Sequence, residues 1–393
     1  MLHLPSVTGK ARSRVVHQWC VLTMLVAVSS HAYADIVLGR LGSVISPIAK
    51  PSTVAVGEGI DTYLKKINAA GGVNGQKISV VFRDDEFKPD KSLAAAQALI
   101  EQDRVVAIVA PQGTQGPLAI IKDGVLKRNN VAVIGPFTGT AEVLKGENFF
   151  PTRITYDEEF SAMTRHMKRM AQSTVAYLYY NTAAGPAYAE PFARIAKEEG
   201  VTPVASVAYD IIAGDAAKQT DAIRAAVKKV IATKPAAVFL FAVGPTMPEV
   251  MKELKMQGEV GLARYTFSIN SWESLIKNAG LDVAKGVVFS QSAPYPYSMT
   301  RKVVTQYLAD LKKYSPEAAP GFASFEGYVI GRVTVEALRR VGSNPTPAKV
   351  LRALENFGRY DMGDFAVEYS AKNKRVDFNL DITMINGSGK LVR

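Results

Sequence analysis

The sequence predicts an α/β protein made of two doubly wound lobes. One indication is a set of short, continuously apolar runs, such as Val105–Val109 and Val131–Ile134, which are typical of parallel strands covered on both faces. Another is the helical period of apolar side chains in the segments between those runs. The alternation of strand and helix restarts near residue 175, and a chain of 393 residues is long enough for two cores.

The first half of the chain supplies four predicted strands and two well-marked helices. Besides the two apolar runs, strands are expected at Ile36–Leu41 and Lys77–Arg83. A helix is expected over residues 54–70, and glycines at 71 and 72 end it. The next helix begins at Pro89, since proline is favoured in the first turn.

The second half repeats this pattern and ends in a different one. The five further strands are expected at Val175–Tyr180, 203–209, Ala236–Ala242, Tyr265–Ile269 and Gly286–Ser290. Two long helices follow, over about 300–313 and 322–341. The tail Val376–Met384 alternates apolar and polar residues, which predicts one half-exposed strand.

The first 34 residues have the pattern of an export signal. Lys10, Arg12 and Arg14 precede an apolar stretch, Trp19–Val28, and the segment ends in small residues at 32 and 34. The apolar stretch is too short to span a bilayer as a permanent anchor. We expect cleavage after Ala34 and a periplasmic mature protein.

Cleavage would leave a chain poor in reactive side chains. The sequence has one Cys and four His, and only His166 lies beyond residue 34. Disulfides and zinc sites of the Cys/His type are then excluded. His166 shares a helix with Arg165 and Lys168, and we expect a solvated side chain rather than a catalytic base.

Other functional classes also lack their signatures. The net charge of +11 is spread along the chain instead of forming the concentrated patch that nucleic-acid binding needs. No nucleophile-elbow, dinucleotide-binding or phosphate-loop motif follows a predicted strand. An enzyme is therefore not expected, and neither is a metal or another cofactor.

Two loops after neighbouring predicted strands are rich in Gly, Pro and hydroxyl residues. They are Ala110–Pro117 and Gly135–Thr140. Ligands of open parallel sheets bind at the carboxyl ends of strands, where backbone N–H groups and helix N-termini attract anions. These loops predict a carboxylate site, although the same residues also make ordinary turns and helix caps.

Several segments, in order, resemble one family. They are Asn68–Ile78, the pair Asp84-Asp85, the two loops just described, Ser290–Pro296 and Ser324–Tyr328. Together they resemble periplasmic substrate-binding proteins of the leucine/isoleucine/valine-binding type. The resemblance implies a type I periplasmic binding fold, with two Rossmann-like lobes, three crossings and a ligand held in the cleft between the lobes.

The resemblance also implies partners and domain limits. It implies a monomer that captures an amino acid or related small carboxylate for the permease and ATPase subunits of an ABC importer, without catalysis or cofactor. Lobe 1 is expected at 35–153 plus 291–363, and lobe 2 at 154–290 plus 364–393. A binding protein that signals to a receptor or regulator, instead of serving a permease, is the alternative.

Position by position, the resemblance implies a set of ligand contacts. In lobe 1 and the first crossing these are Gln112, Gly113, Thr114, Phe137, Thr138, Gly139 and Tyr156. In lobe 2 and the second crossing they are Asn181, Gly185, Ser268, Asn270 and Gln291. For Arg153 and Asp157, ligand contact and a hinge salt bridge remain alternatives, and Glu326 is either a ligand contact or a helix cap.

Three departures from the family pattern concern ligand identity. Ile45-Ser46-Pro47 stands where the first loop usually carries Ser or Thr followed by Gly-Pro, and Gly185-Pro186 stands where an aromatic residue and Gly are usual. Ser271 lies near the place of the acid that pairs with the ligand ammonium, and Glu273 lies two residues further on. We thus expect the protein to recognise a carboxylate. A free amino acid and a carboxylate without an amino group remain alternative ligands.

Overall fold

The computed structural model describes residues 35–393 except 183, 213, 259–260 and 378–379. The predicted export signal and its cleavage site lie outside the described residues. No helix in the described part of the chain is both long enough and apolar enough to cross a membrane.

The first lobe is built on a five-stranded parallel sheet. Its strands are β1 (Ile36–Gly42), β2 (Ile78–Asp84), β3 (Ala107–Val109), β4 (Ala132–Ile134) and β5 (Phe149–Phe150), in the order β2-β1-β3-β4-β5. The helices between them are α1 (Lys50–Ala69), α2 (Pro89–Glu101), α3 (Gln115–Asp123), α4 (Val125–Asn129) and α5 (Ala141–Leu144). β3 and β4 are completely buried, as their apolar sequences predict.

The second lobe repeats the βα arrangement around a larger sheet. Its parallel strands are β6 (Thr174–Tyr180), β7 (Thr202–Tyr209), β8 (Ala237–Phe241), β9 (Ala263–Thr266) and β10 (Val287–Gln291). The accompanying helices are α6 (Tyr156–Arg169), α7 (Ala184–Glu198), α8 (Ala216–Ile231), α9 (Thr246–Gln257), α10 (Trp272–Ala279) and α11 (Leu281–Ala284).

After β10 the chain returns to the first lobe. There it forms α12 (Lys302–Tyr314), α13 (Phe322–Val341) and α14 (Pro347–Glu355), followed by an antiparallel sheet of β11 (Gly358–Asp361), β12 (Ala366–Tyr369) and β13 (Lys374–Asp377). It then rejoins the second sheet, where β14 (Asp381–Ile385) pairs antiparallel with β10, and β15 (Leu391–Val392) pairs with β14. The chain therefore passes between the lobes three times.

The helices α1 and α13 pack together at backbone contact in the first lobe. A Cβ added to Gly59 would lie 1.8 Å from the carbonyl oxygen of Ser324, and one added to Gly327 would lie 2.0 Å from that of Val56. The buried side chains of Ile60 and Val56 belong to the core of this lobe. Glycine is needed at the two crossing positions because any side chain would push the helices apart.

The prediction of a single strand over Val376–Met384 is wrong. Its first residues belong to β13 and pair with β12, whereas Asp381–Ile385 forms β14 and pairs with β10. The alternating pattern records burial on one face, but two different sheets supply that burial. Val367 and Tyr369 pack in the core of the first lobe, so the last change of lobe follows Asp377 rather than residue 363.

His166 also differs from expectation. It is half-buried, and its Nδ1 lies 3.1 Å from the hydroxyl oxygen of Tyr265. Burial, with Arg169 nearby, lowers the pKa of His166. The charged residues around His166 in the sequence predicted a solvated side chain, but α6 directs this side chain towards Tyr265 of β9.

Candidate functional site

A cavity of about 440 Å³ lies between the two lobes. The first lobe contributes the segments that follow β1, β3 and β4, and the second contributes those that follow β8 and β9. All of these segments lie at the carboxyl ends of parallel strands, which is where open α/β sheets bind ligands. Among the described residues, no group of His, Cys, Asp and Glu is arranged to hold a metal.

One end of the cavity is polar and close to the start of α3. Gln112 is buried, and its Oε1 accepts a hydrogen bond of 3.1 Å from the hydroxyl of Ser52. Gly113 has a φ of 73°, and an added Cβ would lie 2.5 Å from the ring of Phe87. The side chain of Thr114 does not cap α3. The positive end of that helix dipole favours an anion near Gly113, although no residue of α3 itself lines the cavity.

Four hydroxyl groups meet directly behind this end. Thr114 Oγ1 lies 3.0 Å from Thr138 Oγ1, 2.8 Å from Thr140 Oγ1 and 3.1 Å from the hydroxyl oxygen of Tyr188. Tyr188 lines the cavity, whereas the three threonines do not. Because Tyr188 lies on α7, its bond to Thr114 joins the second lobe to the first.

Aromatic rings form the adjoining wall. The ring centroid of Tyr156 lies 5.4 Å from that of Tyr188 and 5.1 Å from that of Phe267, both in edge-to-face geometry. A Cβ on Gly139 would lie 2.4 Å from the Tyr156 ring, so glycine lets that ring sit against the loop. Burial raises the pKa of Tyr156, and the phenol therefore stays neutral.

A buried cluster of charges lies next to this wall. Arg153, only 1% exposed, has Nη2 3.5 Å from Glu159 Oε1 and Nη1 3.7 Å from Glu326 Oε2. Its Nη2 also donates to the hydroxyls of Ser268 and Ser292, at 2.5 and 3.0 Å. Burial alone would lower the pKa of Arg153, but the two carboxylates raise it.

The side chains that line the cavity carry only negative charges. Glu58, Glu273 and Glu326 line it, and no Lys, Arg or His is among the described residues that do so. Glu273 accepts from the hydroxyl of Ser271 at 2.7 Å, and its Oε1 lies 3.3 Å from the hydroxyl oxygen of Tyr297. Burial raises the pKa of Glu326, although Arg153 opposes the shift.

Six of the twelve expected contacts line this cavity: Gln112, Gly113, Phe137, Tyr156, Ser268 and Asn270. Thr114 and Thr138 lie in the hydroxyl cluster behind it, and Gly139 lies under the Tyr156 ring. Asp157 is exposed and pairs with Arg194 at 3.4 Å, so it is not brought to the cavity.

The structure does not bring the other three expected contacts to the cavity. The Asn181 side chain is exposed and donates to Asp210 Oδ1 at 2.7 Å. Gly185 is packed against the carbonyl oxygen of Tyr180. Gln291 donates to Thr383 Oγ1 at 3.0 Å and lines a second, polar cavity of about 320 Å³, because its side chain faces β14 rather than the cleft.

Sequence reasoning missed other residues of the lining. Tyr188 lies two residues beyond the Gly185-Pro186 pair that stands where an aromatic residue and Gly are usual, and α7 brings its hydroxyl to the cleft. Glu58 lies three residues beyond Ala55 and six beyond Ser52 on α1. That spacing, which places the three on one helix face, was the available signal.

Comparisons with known proteins agree with this architecture. The sequence model of the family described as periplasmic binding protein matches residues 35–390. The Leu/Ile/Val-binding protein homolog 3 of Brucella melitensis is 30% identical over 179 residues, which are 45% of this chain and 48% of that protein. The match thus spans about half the length of that relative.

Two solved structures show the same fold. An extracellular ligand-binding receptor from Verminephrobacter eiseniae superposes with a TM-score of 0.83 at 22% identity, over 91% of this chain and 100% of the other. A branched-chain amino acid ABC transporter protein from Thermus thermophilus, solved with bound valine, superposes with a TM-score of 0.79 at 18% identity. That match covers 92% of this chain and 95% of the other.

Proposed function

The chain belongs to the periplasmic binding protein family, and we propose that it is the solute-binding component of an ABC importer. Its ligand would be an amino acid or a related small apolar or aromatic carboxylate, delivered to membrane permease and ATPase subunits. After cleavage of the export signal the protein would act in the periplasm. The bound valine of the Thermus thermophilus protein supports a ligand of this size.

The cavity between the lobes is the observation that carries this proposal. Its volume of about 440 Å³ lies within the usual range for small-molecule sites. The polar end at Gln112 and Gly113 offers an amide side chain and the start of α3 to a carboxylate. Phe137, Tyr156 and Phe267 offer apolar contact to the rest of the ligand.

Binding would work by closure of the two lobes around the ligand. A ligand that contacts both lobes binds a closed form better than an open one and so shifts the population towards closure. The bond between Thr114 and Tyr188 crosses the cleft and would form only on closure. The role of Thr114 and Thr138 as direct donors to the ligand stays a prediction.

Ligand-dependent compaction tests the function. A thermal-shift screen of the mature protein against amino acids and against aliphatic and aromatic carboxylates should give at least one ligand that raises the melting temperature. With that ligand at saturation, X-ray scattering should show a smaller radius of gyration. Trp272, the only tryptophan among the described residues, begins α10 beside the cavity and should change its fluorescence. Absence of any stabilising ligand, or binding without compaction, would contradict the proposal.

Tyr188→Phe tests the bond across the cleft. The substitution keeps the ring and removes the hydroxyl, and with it the hydrogen bond to Thr114. An ordinary hydrogen bond contributes about 0.5–1.5 kcal/mol. Ligand affinity should therefore fall about 2- to 13-fold, while the melting temperature of the unliganded protein changes little. Tyr265→Phe is the control, because that hydroxyl donates to Gln172 within the second lobe. Equal affinity of the wild type and Tyr188→Phe would show that closure does not use this bond.

A further inference from the structure

The two ends of the cavity differ in what they can bind. Ser52, which donates to Gln112, marks the anion-attracting end, and Glu58 lies six residues further along the same helix. At 1.5 Å per residue the two positions are about 9 Å apart along the axis of α1. Both residues line the cavity, so a carboxylate bound near Gln112 would point the rest of its chain towards Glu58.

A second carboxylate, from the other lobe, reaches the same end as Glu58. Glu273 lies in the first turn of α10 and contacts the hydroxyl of Tyr297, which also donates to the carbonyl oxygen of Pro320 at 2.8 Å. Glu58 adjoins Gly59, whose Cα faces the Ser324 carbonyl. Glu273 is thus linked to the segment 320–324 through Tyr297, and Glu58 adjoins the glycine that contacts this segment. Both carboxylates and the segment itself line the cavity.

The electrostatics of Tyr307 agree with this placement. Its hydroxyl contacts the segment 320–324, since it accepts a hydrogen bond of 3.2 Å from Gly321 N. Burial raises the pKa of Tyr307, and the charges of both Glu58 and Glu273 raise it further. Neither carboxylate forms an ion pair with a described Lys or Arg.

The third carboxylate of the lining, Glu326, already has a cationic partner. Glu326 is 5% exposed and lines the cavity. Its Oε1 accepts from Ser292 at 3.2 Å, and its Oε2 forms an ion pair with Arg153 Nη1 at 3.7 Å. Glu58 and Glu273 are therefore the carboxylates of the lining that have no cationic partner among the described residues.

We propose that the ligand is an ω-amino carboxylate, a class that includes basic amino acids, whose terminal cation sits between Glu58 and Glu273. This inference rests on the proposed function and names the ligand class of that same cavity. Closure brings carboxylates of the two lobes towards each other, and a cation between them turns repulsion into attraction. A ligand without a positive charge would close the cleft against that repulsion.

Four probes with one carbon skeleton isolate the terminal cation. They are L-lysine, 6-aminohexanoate, L-norleucine and hexanoate, each titrated calorimetrically into the full mature protein. A charge-assisted pair is worth about a 10- to 150-fold change in affinity. L-lysine should bind more tightly than L-norleucine by that factor, and 6-aminohexanoate more tightly than hexanoate.

Variants identify the partner carboxylates. Glu58→Gln and Glu273→Gln should each remove most of the preference for the two ω-amino probes, while the exposed Glu190→Gln should leave it intact. L-norleucine or hexanoate binding as tightly as its ω-amino counterpart would overturn this inference, as would unchanged preference in both glutamine variants. In either case binding of some carboxylate from the wider screen would leave the importer proposal standing. Failure of every carboxylate would overturn both.

Discussion

Arg153→Met should lower the free energy of unfolding by about 3–5 kcal/mol. Removing one partner of a buried ion pair leaves the other charge uncompensated, and the loss is usually of this size. Here the effect falls on two carboxylates, because Glu159 is completely buried and Glu326 nearly so. Arg153 also donates to Ser268 of the second lobe, and its loss leaves that part of the hinge without a donor.

Urea denaturation of the unliganded protein measures the effect. The double variant Arg153→Met, Glu326→Gln should recover part of the loss, because it removes one of the stranded charges. Arg194→Met is the matched control: Arg194 is exposed and paired with Asp157 and Glu198, and such surface pairs contribute about 0–1 kcal/mol. If Arg153→Met and Arg194→Met cost the same, the buried cluster does not stabilise the fold.

Gly327→Ala should destabilise the protein by about 3 kcal/mol or separate α1 from α13. The added methyl group would lie 2.0 Å from the backbone oxygen of Val56, and backbone cannot rotate away as a side chain can. Overpacking in a tight core usually costs about 1–3 kcal/mol, and sometimes more. The upper end of this energy range applies because Gly59 makes the reciprocal contact on the opposite helix.

A second alanine variant separates this clash from the general effect of replacing glycine. Gly387→Ala adds the same methyl group where no atom lies within 4 Å, and it should leave the melting temperature nearly unchanged. Since α1 carries Ser52 and Glu58, Gly327→Ala should also weaken ligand binding. Equal melting temperatures for the two variants would mean that the helices are not in backbone contact.

The sequence was most informative about buried parallel strands and the loops that follow them. Continuous apolar runs identify β3 and β4 because both faces are covered, and their carboxyl ends then locate Gln112, Gly113 and Phe137. The strand predicted in the tail was wrong because an alternating pattern indicates burial on one face but does not indicate which sheet provides that burial. Arg153, Glu159 and Glu326 could not be joined from sequence, since their contact exists only after three distant segments have met.

The three passages between the lobes bear on how the chain acquires its structure. Neither lobe is a continuous stretch of sequence, and α1 finds its backbone partner, α13, only near the end of the chain. The first lobe therefore cannot complete its core before α13 has been synthesised, and a long loop must close before those contacts form. Such non-local pairing slows folding. The nascent polypeptide thus stays incompletely folded until α13 has emerged from the ribosome.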